Sequence, residues 1–292
     1  MFDSYKHFLE TPEYHKIIGD DYLIVEFKCP IKEELFSAWS ECHSVVYVLQ
    51  GQKKWITPTN EYLVKANQSI FLRKGAFKNQ QYAQESFCVL MFFMKDDFIR
   101  RCVEEDIKKE SLPLKLIANP DVIYKISVSD SLQTLYHSFF SYLNAPYKTP
   151  RKIIELKFRE MLLNICCDQT NESIRNVLYT LSQNQGGAIE RIMEEQYMYN
   201  LKIDEYARLA GRSVSSFKRE FTKLYNTTPG KWLLTKRLHL ASNLLLNTDL
   251  SVQQVCYECG FESDSHFIRS FNNQFRLTPK QWRISKNTHS PE

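Results

Sequence analysis

The chain has 292 residues, 43% hydrophobic and 25% charged, with a net charge of +4. That make-up fits a soluble globular protein with room for about two domains. A polar N-terminus and the lack of any apolar run near ~18 residues argue against a signal peptide or spanning helix, so a cytoplasmic protein is expected.

Four early runs read as strands: Tyr22–Phe27, Ser44–Leu49, Ser69–Leu72 and Phe87–Phe93, all rich in β-branched and aromatic residues. Lys53–Ile56 and Glu61–Val64 can flank a turn through Pro58–Asn60. Short, closely spaced strands from about 20 to 95 suggest a small antiparallel barrel or sandwich, with a cupin-like β-barrel as the expected form. Such a barrel can enclose a small ligand or be filled by its own aromatics. A catalytic cupin needs several histidines converging on one metal. His43 is the only histidine between His15 and His137, so no metal site is expected.

From about 96 to 183 the period becomes helical. Asp96 opens a stretch through Phe98, Val103 and Ile107; Ser129 or Asp130 caps a helix with Leu132, Leu135, Tyr136, Phe139, Phe140 and Leu143 on one face. Asn144–Pro146 ends it. Pro150 starts another, with Ile154, Phe158, Met161, Leu162 and Ile165 aligned. These stripes can pack on the barrel or form a dimer interface. Asn184–Gly187 is the linker candidate, after which Ala188–Tyr199 is expected as an introductory helix.

The remainder holds one pattern twice. Phe217, Arg219, Phe221, Thr228, Pro229 and Trp232 each recur fifty positions later, and Gly211 recurs as Gly260. In copy one, a helix Ile203–Ala210 meets the turn glycine Gly211, and Ser213 caps a second helix. Phe217, Phe221 and Leu224 are expected inside; Ser215, Lys218, Arg219 and Thr222 outside. In copy two, Val252–Cys259 is followed by Gly260, the cap Ser263 and a helix burying Phe267, Phe271 and Phe275. Lys231–Asn247 reads as one long connecting helix. Each copy is a helix-turn-helix whose second helix can enter a major groove. Base-reading candidates are Ser215, Lys218, Arg219, Asp264, Ser265, Ile268 and Arg269; phosphate candidates are Lys223, Lys231, Lys236, Arg237, Arg276 and Lys280.

Charge agrees with an anionic partner. Residues 186–292 carry 15 basic and 11 acidic side chains, whereas residues 1–185 carry 23 of each. Of the eight cysteines, Cys256-x-x-Cys259 invites a zinc or redox reading. The repeat aligns Cys256 with Ala207, and Cys259 precedes its turn glycine as Ala210 does, so both read as small core residues.

Leu201–Arg283 resembles the DNA-binding domain of the AraC/XylS family of bacterial transcription regulators. The resemblance rests on Ala207-x-x-Ala210-Gly211-x-Ser213, Phe217-x-x-x-Phe221, Thr228-Pro229, Arg237, Ala241, Leu244-Leu245, Asp249-Leu250-Ser251, Cys259-Gly260-Phe261, Phe267-x-x-x-Phe271-x-x-x-Phe275 and Thr278-Pro279. Basic residues are common in the family where this chain has Asn272 and Asn273, and neutral ones where it has Asp264. Glu155–Leu163 and Val177–Ser182 are similar to ExsA-type activators, which implies control through a protein partner and self-association. The expectation is an α+β protein. Residues 1–183 form a regulatory and dimerisation domain, a cupin-like barrel with helices; residues 188–286 form an all-α DNA-binding domain of two helix-turn-helix units. The implied function is a non-enzymatic activator binding duplex DNA and RNA polymerase, without a cofactor, as a homodimer, under a small-molecule or protein effector. The alternatives are a cupin-related enzyme or a helical interaction protein without DNA readout.

Overall fold

The computed structural model describes residues 1–28, 35–57, 60–82, 86–118, 120–145, 149–183 and 189–287. Cys29, Pro58, Thr59, Pro146, Ala188 and the linker candidate Asn184–Gly187 lie outside them. Two compact units are formed, Met1–Gly186 and Gly187–Glu292.

In the first unit the chain runs through β1 (Phe2–Asp3), α1 (Ser4–Glu10), β2 (Lys16–Ile18), β3 (Tyr22–Lys28), β4 (Leu35–Ser40), β5 (His43–Gln50), β6 (Gln52–Ile56), β7 (Glu61–Lys65), β8 (Ser69–Leu72), β9 (Gly75–Gln81) and β10 (Cys88–Met94). Then follow α2 (Asp96–Glu105), β11 (Ile123–Ile126), α3 (Asp130–Leu143), α4 (Arg151–Cys167) and α5 (Glu172–Gln183). The strands form two sheets, β1-β4-β9-β6-β7 and β11-β8-β5-β10-β3-β2. Only the β1–β4 pairing is parallel among those described.

The second sheet is buried on both faces, and the period of two sorts its residues. Leu23, Val25, Phe27, Val46, Val48, Ile70, Leu72, Val89 and Phe93 share a core with Ala38, Trp55, Val64 and Phe77 of the first sheet. The alternate residues Tyr22, Ile24, Val45, Tyr47, Phe71, Leu90, Phe92 and Met94 pack on the helices. Burial on both sides explains why β3, β5 and β10 read as continuous apolar runs. The helices supply Phe98, Val103, Leu135, Phe139, Phe158, Met161, Val177 and Leu178 to that second core. Their stripes therefore pack inward. Ser129 caps α3 by accepting the Leu132 amide, and Pro150 is the N-cap residue of α4.

The second unit is all helical: α6 (Ile189–Gln196), α7 (Ile203–Leu209), α8 (Val214–Tyr225), α9 (Pro229–Asn247), α10 (Val252–Glu258), α11 (Asp264–Phe275) and α12 (Pro279–Asn287). Thr228 caps α9 through the Lys231 amide, with Pro229 at its first turn. No helix among the described residues is long and apolar enough to cross a membrane.

Candidate nucleic-acid interface

The two copies close their turns by one hydrogen-bond pattern. In copy one the Gly211 amide donates to Arg208 O at 3.0 Å and the Arg212 amide to Ala207 O at 2.9 Å. In copy two Gly260 donates to Tyr257 O at 3.0 Å and Phe261 to Cys256 O at 3.1 Å. This paired closure needs a left-handed residue after the helix, and Gly211 and Gly260 have φ of 64° and 75°. The serine caps follow: Ser213 Oγ accepts the Ser216 amide and Ser263 Oγ the His266 amide. Cys256 and Cys259 are buried free thiols. Among the described residues no cluster of three or more His, Cys, Asp or Glu is placed to hold a metal.

Both second helices bury the same face. Phe217 and Phe221 are fully enclosed, as are Phe267 and Phe271. Trp232 lies 6.0 Å from Phe221 and 5.3 Å from Tyr225; Trp282 lies 5.9 Å from Phe271 and 4.9 Å from Phe275. Leu224 departs from expectation, being 49% exposed. Tyr225 fills the inward position instead, stacking on Phe221 at 4.6 Å, and Phe275 lies at the same distance from Phe271 with its ring tilted by 49°. The spacing of four to the following aromatic prevails over that of three to Leu224. Phe275 itself is only partly buried.

With those aromatics turned in, Ser215, Lys218, Arg219 and Thr222 of α8 are exposed, as are Ser265, Ile268, Arg269 and Asn272 of α11. Arg219 and Arg269 occupy matching positions. Ile268, 39% exposed, offers an apolar surface of the kind that can meet a thymine methyl.

Asp264 differs from these neighbours. It is half-buried, and its Oδ1 is enclosed without a hydrogen-bond partner. Its carboxylate lies beside the Cys256 thiol, whose pKa is pushed up to about 12 by burial first and then by Asp264. Asp264 is thus turned towards α10 rather than outward. At the first turn of α11 its charge suits the helix dipole.

The phosphate candidates also divide. Lys223, Lys231, Arg276 and Lys280 are exposed. Arg276 is the left-handed C-cap of α11 at φ 60°, matching Asn226 at 51° on α8. Lys236 is half-buried, 2.8 Å from Glu194 Oε1 and 5.0 Å over the Trp232 ring. Arg237 is half-buried, and its guanidinium is taken up by three backbone carbonyls, at Tyr197, Tyr199 and Gly260. His266 was not among the candidates. It is exposed on the leading turn of α11 and lines, with Asn200, Gly230 and Glu262, a cleft of about 530 Å³. Helical spacing from Ser263 could have found it.

Comparison with known proteins covers both units. Residues 43–177 match the family described as ExsA N-terminal regulatory domain, and residues 206–285 the family described as Helix-turn-helix domain. The chain is 26% identical over 228 residues to the virulence regulon transcriptional activator VirF of Yersinia enterocolitica, covering 75% of this chain and 81% of that one. It is 22% identical over 235 residues to the HTH-type transcriptional regulator ExsA of Pseudomonas aeruginosa, covering 73% and 84%. The crystal structure of the AdpA DNA-binding domain with a target DNA is 28% identical, covers 36% of this chain and 94% of that chain, and has a TM-score of 0.34. With both halves matched and the tandem helix-turn-helix geometry in place, the chain pairs an ExsA-type regulatory domain with a helix-turn-helix domain, the make-up of its transcription-regulator relatives, and is similar to the AraC/XylS family.

Proposed function

We propose that the protein is a transcription activator that reads two successive major grooves of duplex DNA, through α8 and α11. The reading is carried by Arg219 and Arg269, exposed at matching positions of two helices that share one capped-turn geometry. An exposed arginine there can bond guanine O6 and N7 in a bidentate manner. Helices about 34 Å apart meet successive grooves on one face of DNA. Copy one supplies more affinity, since it leads with Lys218 and Arg219, where copy two has Ile268 and Arg269. Lys223, Lys231, Arg276 and Lys280 hold phosphates, Lys236 after release from Glu194. Residues 188–286 are the DNA-binding domain and residues 1–183 the regulatory domain.

Control acts through a protein effector rather than a small ligand. The cavity between the two sheets, lined by Phe27, Phe36, Trp55, Phe77 and Phe87, is about 40 Å³. That is room for a few waters at most, by the measure of ~10–15 Å³ for one. Homodimerisation uses the outer side of α4, where Ile153 is 42% and Leu156 54% exposed. RNA polymerase is the downstream partner. The protein is not an enzyme and acts in the cytoplasm. Filter binding to genomic duplex fragments across salt concentrations tests the reading. Five phosphate contacts predict a slope of log affinity on log salt of about −4.5. Affinity that ignores salt would refute it.

A further inference from the structure

Three segments far apart in sequence meet at Arg237 on α9. Its Nε donates to Tyr197 O at 2.7 Å, Nη2 to Tyr199 O at 2.7 Å and Nη1 to Gly260 O at 3.1 Å. Tyr197 and Tyr199 lie just past α6, on the lead-in to copy one. Gly260 is the turn of copy two. Carbonyls past a helix end have no partner within the helix, and a cation there also suits the dipole. A planar guanidinium can serve three such oxygens at fixed angles; an ammonium is a single point charge without that fork.

The same seam is closed sterically. A Cβ on Gly260 would lie 2.7 Å from Met198 O and 3.3 Å from Arg237 Cζ, so this turn rests directly on the lead-in backbone. A second tie crosses the seam where Asn200 Nδ2 donates to Glu262 Oε1 at 2.5 Å. Tyr206 joins α7 to it: the hydroxyl donates to Gln196 O at 2.9 Å and lies beside Arg237, and burial pushes its pKa up to about 12.

We propose that Arg237 is a positioning residue for DNA recognition, which sets α11 relative to α8 and so fixes the spacing between the two half-sites the protein accepts. It does this without touching DNA. The proposal rests on the two-reader reading. Its prediction differs from that of a phosphate contact, because a brace acts on geometry whereas a phosphate contact adds affinity on every duplex.

The test uses the full chain and duplexes carrying the bipartite site recovered by selection from a random-sequence pool. The gap between halves is kept, or changed by one base pair either way. Arg237→Gln and Arg237→Lys should both weaken binding at the selected spacing roughly tenfold, with little change at the altered spacings. Spacing preference collapses while the salt slope stays as in wild type. Gly260→Ala, which opens the seam from the other side, should act the same way. Amide exchange in the free protein gives a readout without DNA: Tyr199, Leu201 and Phe261 should exchange faster in Arg237→Lys, with the helix interiors of α8 and α11 still protected. Wild-type behaviour of Arg237→Lys overturns the proposal. So does an equal loss at every spacing, either with a salt slope shallower by about 1, as for a phosphate contact, or from a smaller folded fraction. If wild type selects no bipartite site, the two-reader reading fails, and the exchange measurement still decides the brace.

Discussion

His43 lies fully buried on β5, with Nδ1 accepting the Lys74 amide at 3.2 Å and Nε2 3.0 Å from Asp96 Oδ1. Lys74 Nζ binds the other Asp96 oxygen at 2.6 Å. A proton on Nδ1 would break the bond to the amide and bury a second cation beside Lys74. Burial first, and then the nearby cations, hold His43 down to about 4, against the pull of Asp96. The fold thus keeps the neutral ring. As pH falls through about 6.5 the unfolded chain takes up a proton that the folded one refuses, and stability is lost down to about pH 4. At pH 5 the loss for that single group is about 2 kcal/mol relative to pH 7.5. Asp96 adds nothing in this window, because a carboxylate held below its usual range loses its contribution only under about pH 4. Hydrogen exchange of β5, β8 and β10 at pH 7.5 and pH 5, corrected for intrinsic rates, measures the loss. His43→Gln keeps an acceptor for the amide and a donor for Asp96, and should flatten the window. Equal losses in wild type and His43→Gln would refute the reasoning.

Other expectations follow from the same geometry. Arg219→Ala should cost ~1–3 kcal/mol at one base step and relax preference there, and Arg269→Ala should cost less overall; equal losses in binding titrations would overturn the ranking of the two readers. Phe267→Ala should cost about 3–5 kcal/mol within copy two, read as lost exchange protection in α10 and α11, and protection like wild type would mean that Phe267 does not anchor that core. Leu156→Glu places a charge on the outer side of α4 and should shift sedimentation velocity from dimer to monomer; an unchanged mass would remove α4 from the interface.

The DNA-binding half was readable because its signals are local and doubled. Each cap and turn glycine determines only its own few residues, and a second copy fifty positions on checks the assignment. Strands β3, β5, β8 and β10 were readable because burial on both faces leaves unbroken apolar runs. Strand β9, with the sequence GAFKNQQ, carries no such signature, because four of its seven positions are polar and its order comes from pairing with β4 and β6. Strands β1 and β11 exist through their partners in the same way. Helical period placed Lys218 and Arg219 correctly outside, but it cannot tell which side chains fold back. Asp264 turns to Cys256 and Arg237 is taken up by carbonyls from segments up to 40 residues away. Both depend on tertiary neighbours that periodicity does not register.

The most direct test of the central claim is selection of bound duplexes from a random-sequence pool by the full chain, repeated with Arg219→Ala. Two recognition helices predict a motif of two conserved halves centred about 10–10.5 base pairs apart, with the substitution erasing preference in one half only. A motif with a single half, or erosion spread evenly over both, would contradict the account.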